Sequence, residues 1–324
     1  MNLLINETFL NATNGGLNDS LRNGTVSTHE QSSGCLPSWI LDAMGVQAVY
    51  VSDIVLTVVH IPSAIFAFLS NLAVIVAIIR TPSLHVPVNV LLCGLATADC
   101  LTGLVVQPVY ASWRFLLHHL RDPCSLVHLY QTSKSLPFLV VGCTFLNLGI
   151  TSVDRFYAVS KPFAYRTVVT FQGMVKIVVG AWVLWFIYVS LMETVVPSTL
   201  YDSMENATLA SLIIIPTAGH VLTFLAVRRS SRNVLGLTHN RQHATLFNRE
   251  KKAAASMAVY TVVTLASLVP LMILLNFGDS VVAGNLLFPW ASTITTLVSS
   301  INPVIQIQRN AALREALKNQ FNYL

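Results

Sequence analysis

The chain has 324 residues, of which 54% are hydrophobic and only 10% are charged, and its formal net charge is +5. Soluble domains carry about 25% charged residues, because a surface in water needs them. This composition therefore excludes an ordinary water-exposed surface and indicates a protein whose outer surface faces lipid.

Seven segments are long and apolar enough to cross a bilayer, whose hydrocarbon core of roughly 30 Å needs a helix of about 20 apolar residues. They lie at about 52–79, 88–110, 128–155, 174–196, 208–228, 253–276 and 284–307. Each is expected to be a helix, because a backbone in lipid must satisfy its own hydrogen bonds. A soluble all-helical protein is disfavoured by so many runs of spanning length. The expected fold is an all-α membrane protein, a seven-transmembrane helix bundle.

The segments divide the chain into three parts: an extracellular glycosylated segment at 1–51, a seven-span domain at 52–308, and an amphipathic helix with a short cytoplasmic tail at 309–324. In the last part, apolar residues recur every four positions with cations between them. The apolar residues are Leu313, Leu317 and Phe321, and the cations are Arg309, Arg314 and Lys318. This pattern predicts a short eighth helix at residues 310–321, lying on the anionic inner leaflet.

Two patterns indicate which side is outside. Sequons for N-glycosylation begin at Asn6, Asn11, Asn18, Asn23 and Asn206, all on one side of the seven-span arrangement. Most of the 19 Lys and Arg residues fall on the opposite side, which is the usual bias of cytoplasmic loops. Both patterns predict a multi-pass plasma-membrane protein with its N-terminus outside and its C-terminus inside.

The five cysteines separate by location. Cys93, Cys100 and Cys143 lie within spans, where cysteine behaves as a small buried hydrophobe. Cys35 and Cys124 lie on the outer side, where disulfides persist. These two either pair, which ties the N-terminal segment to the top of the third span, or remain as free or intermolecularly paired thiols.

Polar and helix-breaking residues recur within the spans, where polar groups are costly and usually face the bundle interior. In order they are Asn71, Asp99, Asp154-Arg155-Phe156, Trp182, Pro216, Pro270 and Asn302-Pro303. Over nearly the whole chain, this ordered set resembles the rhodopsin-like (class A) G-protein-coupled receptors. The longest similar stretch is residues 151–163, TSVDRFYAVSKPF, at the inner end of the third span.

The resemblance implies a switch that couples the receptor to a heterotrimeric G protein. Arg155 would pair with Asp154 and with Glu250 at the base of the sixth helix, and release of Glu250 would let that helix swing outward. Phe163 would insert into the G protein. The switch would comprise Asp154, Arg155, Phe156, Phe163, Glu250, Asn302 and Pro303. The alternatives are an ion pair that only sets helix position and a phenylalanine that anchors the membrane edge.

Asp99 is a carboxylate in the middle of the membrane, so it needs a partner. By resemblance its neighbours are Asn71, Thr144, Ser299 and Asn302, and their oxygen atoms suit Na⁺ and water. One reading is an allosteric sodium site, which would make Na⁺ the one cofactor. The other is a protonated or water-bonded aspartate in a structural network, favoured because Leu268 and Val298 replace usual sodium-site residues.

The chain departs from the family pattern at several positions of the relay that senses ligand. Gln306 and Phe224 stand where the family has tyrosines in the seventh and fifth helices. Leu268 and Thr264 stand where it has a tryptophan and a phenylalanine in the sixth. These changes leave the expected fold intact, but they put the usual activation mechanism in question.

The ligand cavity is expected to open outward between the third, fifth, sixth and seventh helices. Pro137 stands where amine receptors carry an aspartate, and Thr296 where opsins carry the retinal lysine, so neither of those ligand sites is expected. Candidate lining residues are Gln107, Tyr110, Lys134, Phe138, Glu193, Met272, Asn276, Trp290 and Thr293. Lys134 could hold an acidic ligand, pair with Glu193, or extend to the interface. The ligand class is left open between a small molecule and a peptide.

The leading hypothesis is a receptor that transmits an extracellular signal to heterotrimeric G proteins. The lipid membrane is a further expected partner, and nucleic acid is not. The alternatives are a non-signalling or constitutively active receptor relative and a membrane transporter, although no duplicated halves are seen. An enzyme is not expected, because the histidines show no metal-ligand spacing and no nucleophile–base pair stands out.

Overall fold

The computed structural model describes residues 35–120, 122–235, 255, 258–259, 261–270, 273–274 and 283–322. Most of these residues are helical, and no strand occurs among them. Four of the predicted glycosylation sites, Asn6, Asn11, Asn18 and Asn23, lie outside the described residues. So do Glu250, Met272 and Asn276.

Five helices within the described residues are long and apolar enough to cross a membrane. They are Gln47–Arg80, Pro87–Leu117, Cys124–Ser160, Phe171–Val195 and Thr199–Arg229, and we refer to them as the first to fifth spans. Part of the predicted sixth span is the apolar helix Thr261–Pro270. The predicted seventh span is the helix Phe288–Arg309, preceded by a π turn at Ala283–Leu287.

The helices extend beyond the apolar segments that predicted them. The first runs over Gln47–Arg80 instead of 52–79, and the fifth helix runs over Ser198–Leu235 instead of 208–228. The predicted gap between the fourth and fifth spans, residues 197–207, is helical from Ser198 onward. Asn206 therefore lies within a helix. Hydrophobicity marks only the residues in lipid, whereas helical hydrogen bonding continues past the membrane edge.

The second span contains a wide turn. An α-helix at Pro87–Leu101 is followed by a π-helical turn at Thr102–Val106 and a second α-helix at Gln107–Leu117. Pro108, next to the turn, has no N–H to continue the α-helical ladder, and a π turn accommodates such a break. At Gly103 in this turn, an added Cβ would meet Ala64 O at 2.6 Å, so glycine permits the close approach of the first span.

The third span is buried between the second, fourth and fifth spans. Phe138 and Phe145 pack with Trp185 of the fourth span in one apolar cluster. The indole Nε1 of Trp185 donates a hydrogen bond to Leu139 O at 2.8 Å. Its ring occupies the space beside Gly142, where a Cβ would come within 2.0 Å of it. Gly142 thus allows the third and fourth helices to meet closely.

Helices at both ends of the chain pack against the bundle. The predicted eighth helix is confirmed as Ala311–Asn322. Its residues Leu313 and Leu317 are buried in a cluster with Val74 of the first span and Leu92 of the second. Around Leu313 and Leu317, the apolar face of this helix therefore packs against the bundle, whereas the sequence pattern predicts that it lies on the inner leaflet.

Cys35 and Cys124 form a disulfide with a Cα–Cα distance of 5.2 Å, which decides between the two alternatives left open above. We call this end of the bundle outer and the opposite end inner, as the sequence predicts. The bond ties the segment that leads into the short helix Ser38–Ala43 to the turn Pro123–Leu126, at the start of the third span. Next to it, Ile40 packs with Trp113 of the second span. The N-terminal segment is thereby attached to the outer mouth of the bundle.

Candidate functional site

At the inner end of the third span, three side chains form a buried clamp, which we call the inner clamp: Asp154, Arg155 and Tyr165. Arg155 is only 2% exposed. Its Nε donates to Asp154 Oδ2 at 2.8 Å, its Nη2 donates to the same oxygen, and Nη2 also donates to the Tyr165 hydroxyl at 3.0 Å. The Tyr165 hydroxyl donates to Asp154 Oδ1 at 2.8 Å. Both carboxylate oxygens of Asp154 are therefore engaged.

Tyr165 reaches the clamp from the helix Pro162–Val168, in the loop after the third span. Pro162 favours this helix, because proline is well tolerated in the first helical turn, where its N–H would have no partner. The Tyr165 ring also lies near the guanidinium, with Arg155 Cζ 5.7 Å from the ring centroid. Sequence reasoning missed Tyr165. A signal was its position on a short helix directly after the Asp154-Arg155 pair.

The other predicted switch residues fall into two groups. Phe163 is 58% exposed and Phe156 is 40% exposed at the same end of the bundle, so both are accessible. Asn302 and Pro303 are buried in the seventh span. The predicted ion pair between Arg155 and Glu250 lies outside the described residues and stays a prediction.

In mid-membrane, Asp99 accepts a hydrogen bond from Asn302 Nδ2 at 2.8 Å. The Asn71 amide donates to two backbone carbonyls, Ala67 O at 2.8 Å and Ser299 O at 3.0 Å. Thr144 donates to Val140 O of its own helix at 3.3 Å.

The carboxamide oxygens of Asn71 and Asn302 are buried and have no hydrogen-bond partner. Together with the Asp99 carboxylate, this set consists of hard oxygen donors, which suit a small cation such as Na⁺. The residue types present are therefore of the chemistry that Na⁺ accepts, and sodium binding at Asp99 stays a prediction.

Toward the outer side, polar residues of the first, second and seventh spans form a second cluster. The buried Gln107 donates from Nε2 to Ser63 Oγ at 3.2 Å and to Thr296 O at 3.1 Å. One turn away, His60 Nε2 lies 3.1 Å from Thr293 Oγ1, and the Tyr110 ring packs on the imidazole at 5.3 Å between centroids. We call this set the outer polar cluster.

Two buried acceptor atoms of the outer polar cluster, His60 Nδ1 and Gln107 Oε1, have no hydrogen-bond donor. The Thr293 hydroxyl gives its proton to Pro289 O at 2.8 Å, so it must accept from His60 Nε2–H. In a neutral imidazole the other nitrogen is then an acceptor, and His60 Nδ1 is buried with no partner. Gln107 Oε1 is likewise a buried acceptor with no partner. The Gln107 amide is oriented by the hydrogen bond that its Nε2 donates to Thr296 O. Both atoms lack a hydrogen-bond donor.

The remaining candidate ligand residues lie elsewhere. Phe138 packs on Trp185 with 5.3 Å between ring centroids. Trp290 Nε1 donates to Ser52 Oγ at 3.0 Å. Lys134 and Glu193 do not pair with each other: Lys134 Nζ lies 6.0 Å from the Tyr130 ring centroid, and Glu193 accepts from the Tyr201 hydroxyl at 2.7 Å. The predicted ligand residues that come together are Gln107, Tyr110 and Thr293.

At the outer end of the first, second and seventh spans lies a buried ion cluster, which we call the outer ion cluster: Asp53, Arg114 and His118. Arg114 Nε donates to Asp53 Oδ1 at 2.7 Å, and His118 Nε2 lies 2.7 Å from Asp53 Oδ2. Arg114 Nη2 also donates to the backbone carbonyl of Asn285 at 3.1 Å. Sequence reasoning missed this cluster. A signal was an aspartate at the start of an apolar span, where an unpaired charge is costly.

The positions that depart from the usual pattern also have distinct environments. Leu268 and Thr264 are buried, whereas Phe224 is largely exposed on the surface of the fifth span. Gln306 is completely buried, and neither its side-chain nitrogen nor its side-chain oxygen has a hydrogen-bond partner. A buried amide is destabilising unless a hydrogen bond replaces its lost hydration.

Residues 70–306 match the 7 transmembrane receptor (rhodopsin family). This range covers most of the chain and includes the inner clamp, Asp99 and the seventh span. The chain therefore belongs to that family, and its architecture is the seven-transmembrane bundle. The protein is a G-protein-coupled receptor of the multi-pass plasma-membrane type, and it is not an enzyme.

Similar proteins include several receptors named for amines. Trace amine-associated receptor 7f of Mus musculus is 26% identical over 296 residues, which are 79% of this chain and 78% of that receptor. Trace amine-associated receptor 7d of Rattus norvegicus is 26% identical, with 75% of each chain covered. Dopamine receptor 2 of Drosophila melanogaster is 34% identical over 116 residues, which are 35% of this chain but only 20% of that receptor.

Proposed function

We propose that this receptor transmits an extracellular signal by opening the inner clamp. Release of Arg155 from its partners would allow the sixth helix to move outward and would open a cavity for a heterotrimeric G protein. The observation that carries this proposal is the burial of the Asp154–Arg155 pair under Tyr165. A buried charge pair is stable only while its partners are in place, so exchange of partners makes a two-state switch.

A second part of the proposal concerns which end of the receptor faces outward. We propose that the disulfide-bonded end faces outward, because disulfides persist in oxidising compartments, and that the inner clamp faces the cytoplasm. Phe163 is exposed beside the clamp. It offers an apolar anchor to a G protein that docks there, since aromatic anchors dominate such interfaces.

The test is a panel of G-protein activation sensors applied to the full chain and two variants. Arg155→Ala should lose coupling, because it removes the cation of the switch. Asp154→Asn should raise basal coupling, because it removes the charge that holds Arg155. Glu193→Gln, on the outer edge, is the matched control and should behave as the parent chain. Absence of coupling to every G-protein class in all four proteins would overturn the proposal.

We further propose that the ligand is a small molecule that donates hydrogen bonds to the outer polar cluster. His60 Nδ1 and Gln107 Oε1 are buried acceptors without a donor, and leaving such groups unpaired is costly. A hydroxyl or amide N–H would satisfy them. Since Pro137 occupies the aspartate position of amine receptors, we expect a ligand that does not depend on a positive charge at that position.

A library of neutral and cationic small molecules, with the same sensors, tests this ligand class. Gln107→Leu should weaken the response to any agonist found, whereas Asp42→Asn, at an exposed aspartate of the short helix Ser38–Ala43, should not. The ligand proposal would be abandoned if agonist potency were unchanged in both Gln107→Leu and His60→Phe. G-protein coupling itself would still be established by the agonist.

A constitutively active receptor is a second candidate, and Gln306 favours it. The described arrangement leaves this buried amide unpaired, which destabilises it relative to any arrangement that pairs or hydrates the side chain. Basal coupling in the absence of ligand, measured against cells without the receptor, distinguishes the two. A signal at the level of cells without the receptor would contradict constitutive activity.

A further inference from the structure

A cavity of about 550 Å³ lies on the outside of the bundle, along the third, fourth and fifth spans. Its walls come from residues 145–157 of the third span, 168–177 of the loop and fourth span, and 212–216 of the fifth. Almost all of these residues are apolar. We call this cavity the inner slot, because it reaches the inner end of the third span.

The inner slot opens toward the lipid and not toward the bundle interior. Three of its wall residues, Val153, Ile177 and Ile215, are more than half exposed, and each belongs to a different span. On a membrane-crossing helix such a surface faces the hydrocarbon of the bilayer. The molecules with direct access to the slot are therefore those dissolved in the membrane.

The length of the slot matches one leaflet. Twelve residues separate Phe145 from Tyr157 on the third helix, and at 1.5 Å per residue they span about 18 Å. This is slightly more than half of the roughly 30 Å hydrocarbon core. The polar wall residues Asp154, Tyr157 and Thr170 all lie toward the inner end. The slot thus has an apolar body within the membrane and a polar end at its inner surface.

Gly149 makes room for an occupant. An added Cβ at this position would meet only Pro216 Cγ, at 3.9 Å, so the helix surface there is bare and borders open space. We infer that the inner slot binds one hydrocarbon chain of a membrane lipid from the inner leaflet, with the lipid headgroup at the polar end. An elongated apolar slot of leaflet depth fits an acyl chain better than a compact water-soluble ligand.

The bound chain would also contact the switch. Asp154 belongs to both the slot wall and the inner clamp. Tyr157, another wall residue, packs on Tyr165 with 6.0 Å between ring centroids. A lipid in the slot, with its headgroup beside Asp154 and Tyr157, would therefore contact the closed clamp and lower basal coupling. This regulatory part rests on the proposed function, whereas lipid binding does not.

The experiment compares two glycine variants in vesicles. The full receptor is reconstituted in phosphatidylcholine that contains a phosphatidylcholine with a diazirine on its acyl chain, and labelled residues are located by mass spectrometry after illumination. Gly149→Leu fills the slot. Gly180→Leu is the matched control, because Gly180 lies on the fourth span with nothing within 4 Å of an added Cβ. Both changes favour the helix, since leucine has the higher helix propensity.

We expect labelling within residues 145–157 and 168–177 of the parent, its loss in Gly149→Leu, and its retention in Gly180→Leu. Equal labelling in all three proteins would overturn the slot, as would labelling spread evenly over the lipid-facing surface. If a photoreactive sterol labels the slot and the acyl chain does not, the acyl assignment is wrong. Should Gly149→Leu fail to fold, Ile177→Trp blocks the slot rim instead.

A second readout separates lipid binding from regulation. G-protein sensors should show higher basal coupling in Gly149→Leu than in Gly180→Leu, if the leucine displaces the lipid without replacing its contacts to Asp154. Lost labelling with unchanged coupling would overturn the link to the clamp. Labelling of the slot in a receptor that activates no G protein would support the lipid site and contradict the proposed function alone.

Discussion

Among the described residues, two Asp–Arg pairs are buried, one at each end of the bundle, and each has a ring side chain as its third member. In the inner clamp, Asp154 is 1 residue from Arg155 and 11 from Tyr165. In the outer ion cluster, Asp53 is 61 residues from Arg114, which is in turn 171 from Asn285. Among the described contacts, the inner set joins one span to its own loop, and the outer set joins three spans.

The elements that each cluster joins determine whether it can open without harm to the fold. Opening the outer ion cluster would remove bonds that hold the first, second and seventh spans together at their outer ends, so we interpret it as a structural staple. The described bonds of the inner clamp join one helix to the loop next to it, so breaking these bonds removes no contact between two spans. A buried ion pair can therefore serve stability at one end and switching at the other.

The largest effect should come from breaking the staple. Asp53→Asn leaves Arg114 buried without a full countercharge, and removing one partner of a buried pair costs about 3–5 kcal/mol. We expect a marked loss of thermal stability in detergent and poor surface expression. Asp42→Asn, at an exposed aspartate of the short N-terminal helix, is the control and should be neutral. Equal melting temperatures for the two variants would contradict the staple.

A smaller effect is expected at the inner clamp. Tyr165→Phe removes a hydroxyl bonded to both Arg155 and Asp154, and a hydrogen bond to a charged group contributes about 1.5–3 kcal/mol. Since about 1.4 kcal/mol is tenfold in an equilibrium constant, basal coupling should rise roughly tenfold or more while surface expression is kept.

Tyr188→Phe provides the matched control for that measurement. Its hydroxyl lies 2.6 Å from Thr208 Oγ1 between the fourth and fifth spans, so the variant also loses one tyrosine hydrogen bond. It lies away from the switch and should leave coupling unchanged. The distinction between switch and staple fails if Tyr165→Phe unfolds the receptor and does not activate it.

A substitution at Gln306 should have the opposite effect on coupling and stability. Gln306→Leu replaces a buried amide that has no hydrogen-bond partner by an apolar side chain, and should stabilise the described state by about 1–2 kcal/mol. The melting temperature should rise and basal coupling should fall. A lower melting temperature would show that the amide is hydrogen-bonded in the membrane.

The smallest effect concerns the region between the two ends. If Na⁺ binds at Asp99, a concentration several times its Kd stabilises the receptor by about 1 kcal/mol. NaCl should raise the melting temperature above an equal concentration of choline chloride, and Asp99→Asn should remove the difference. Identical melting curves in the two salts for the parent chain would argue for a purely structural network.

The sequence predicted features whose partners are close in the chain or whose pattern is periodic. The seven spans, the eighth helix and the Asp154–Arg155 pair are of this kind. The Cys35–Cys124 pairing was one of two open alternatives, since the sequence indicates on which side of the membrane each cysteine lies but not the distance between them. The outer ion cluster and Tyr165 were missed because their contacts depend on how separate helices are rotated and packed, which hydrophobicity does not encode.

The π turn at Thr102–Val106 has a consequence for comparing this chain with its relatives. A π turn holds one more residue than an α-helical turn, so the outer half of the second span is displaced by one position relative to a regular helix. Counting outward from Asp99 would then align Gln107, Tyr110 and Arg114 with the wrong residues of any relative that lacks the turn. An alignment of this span needs a one-residue gap at the turn before binding residues are compared.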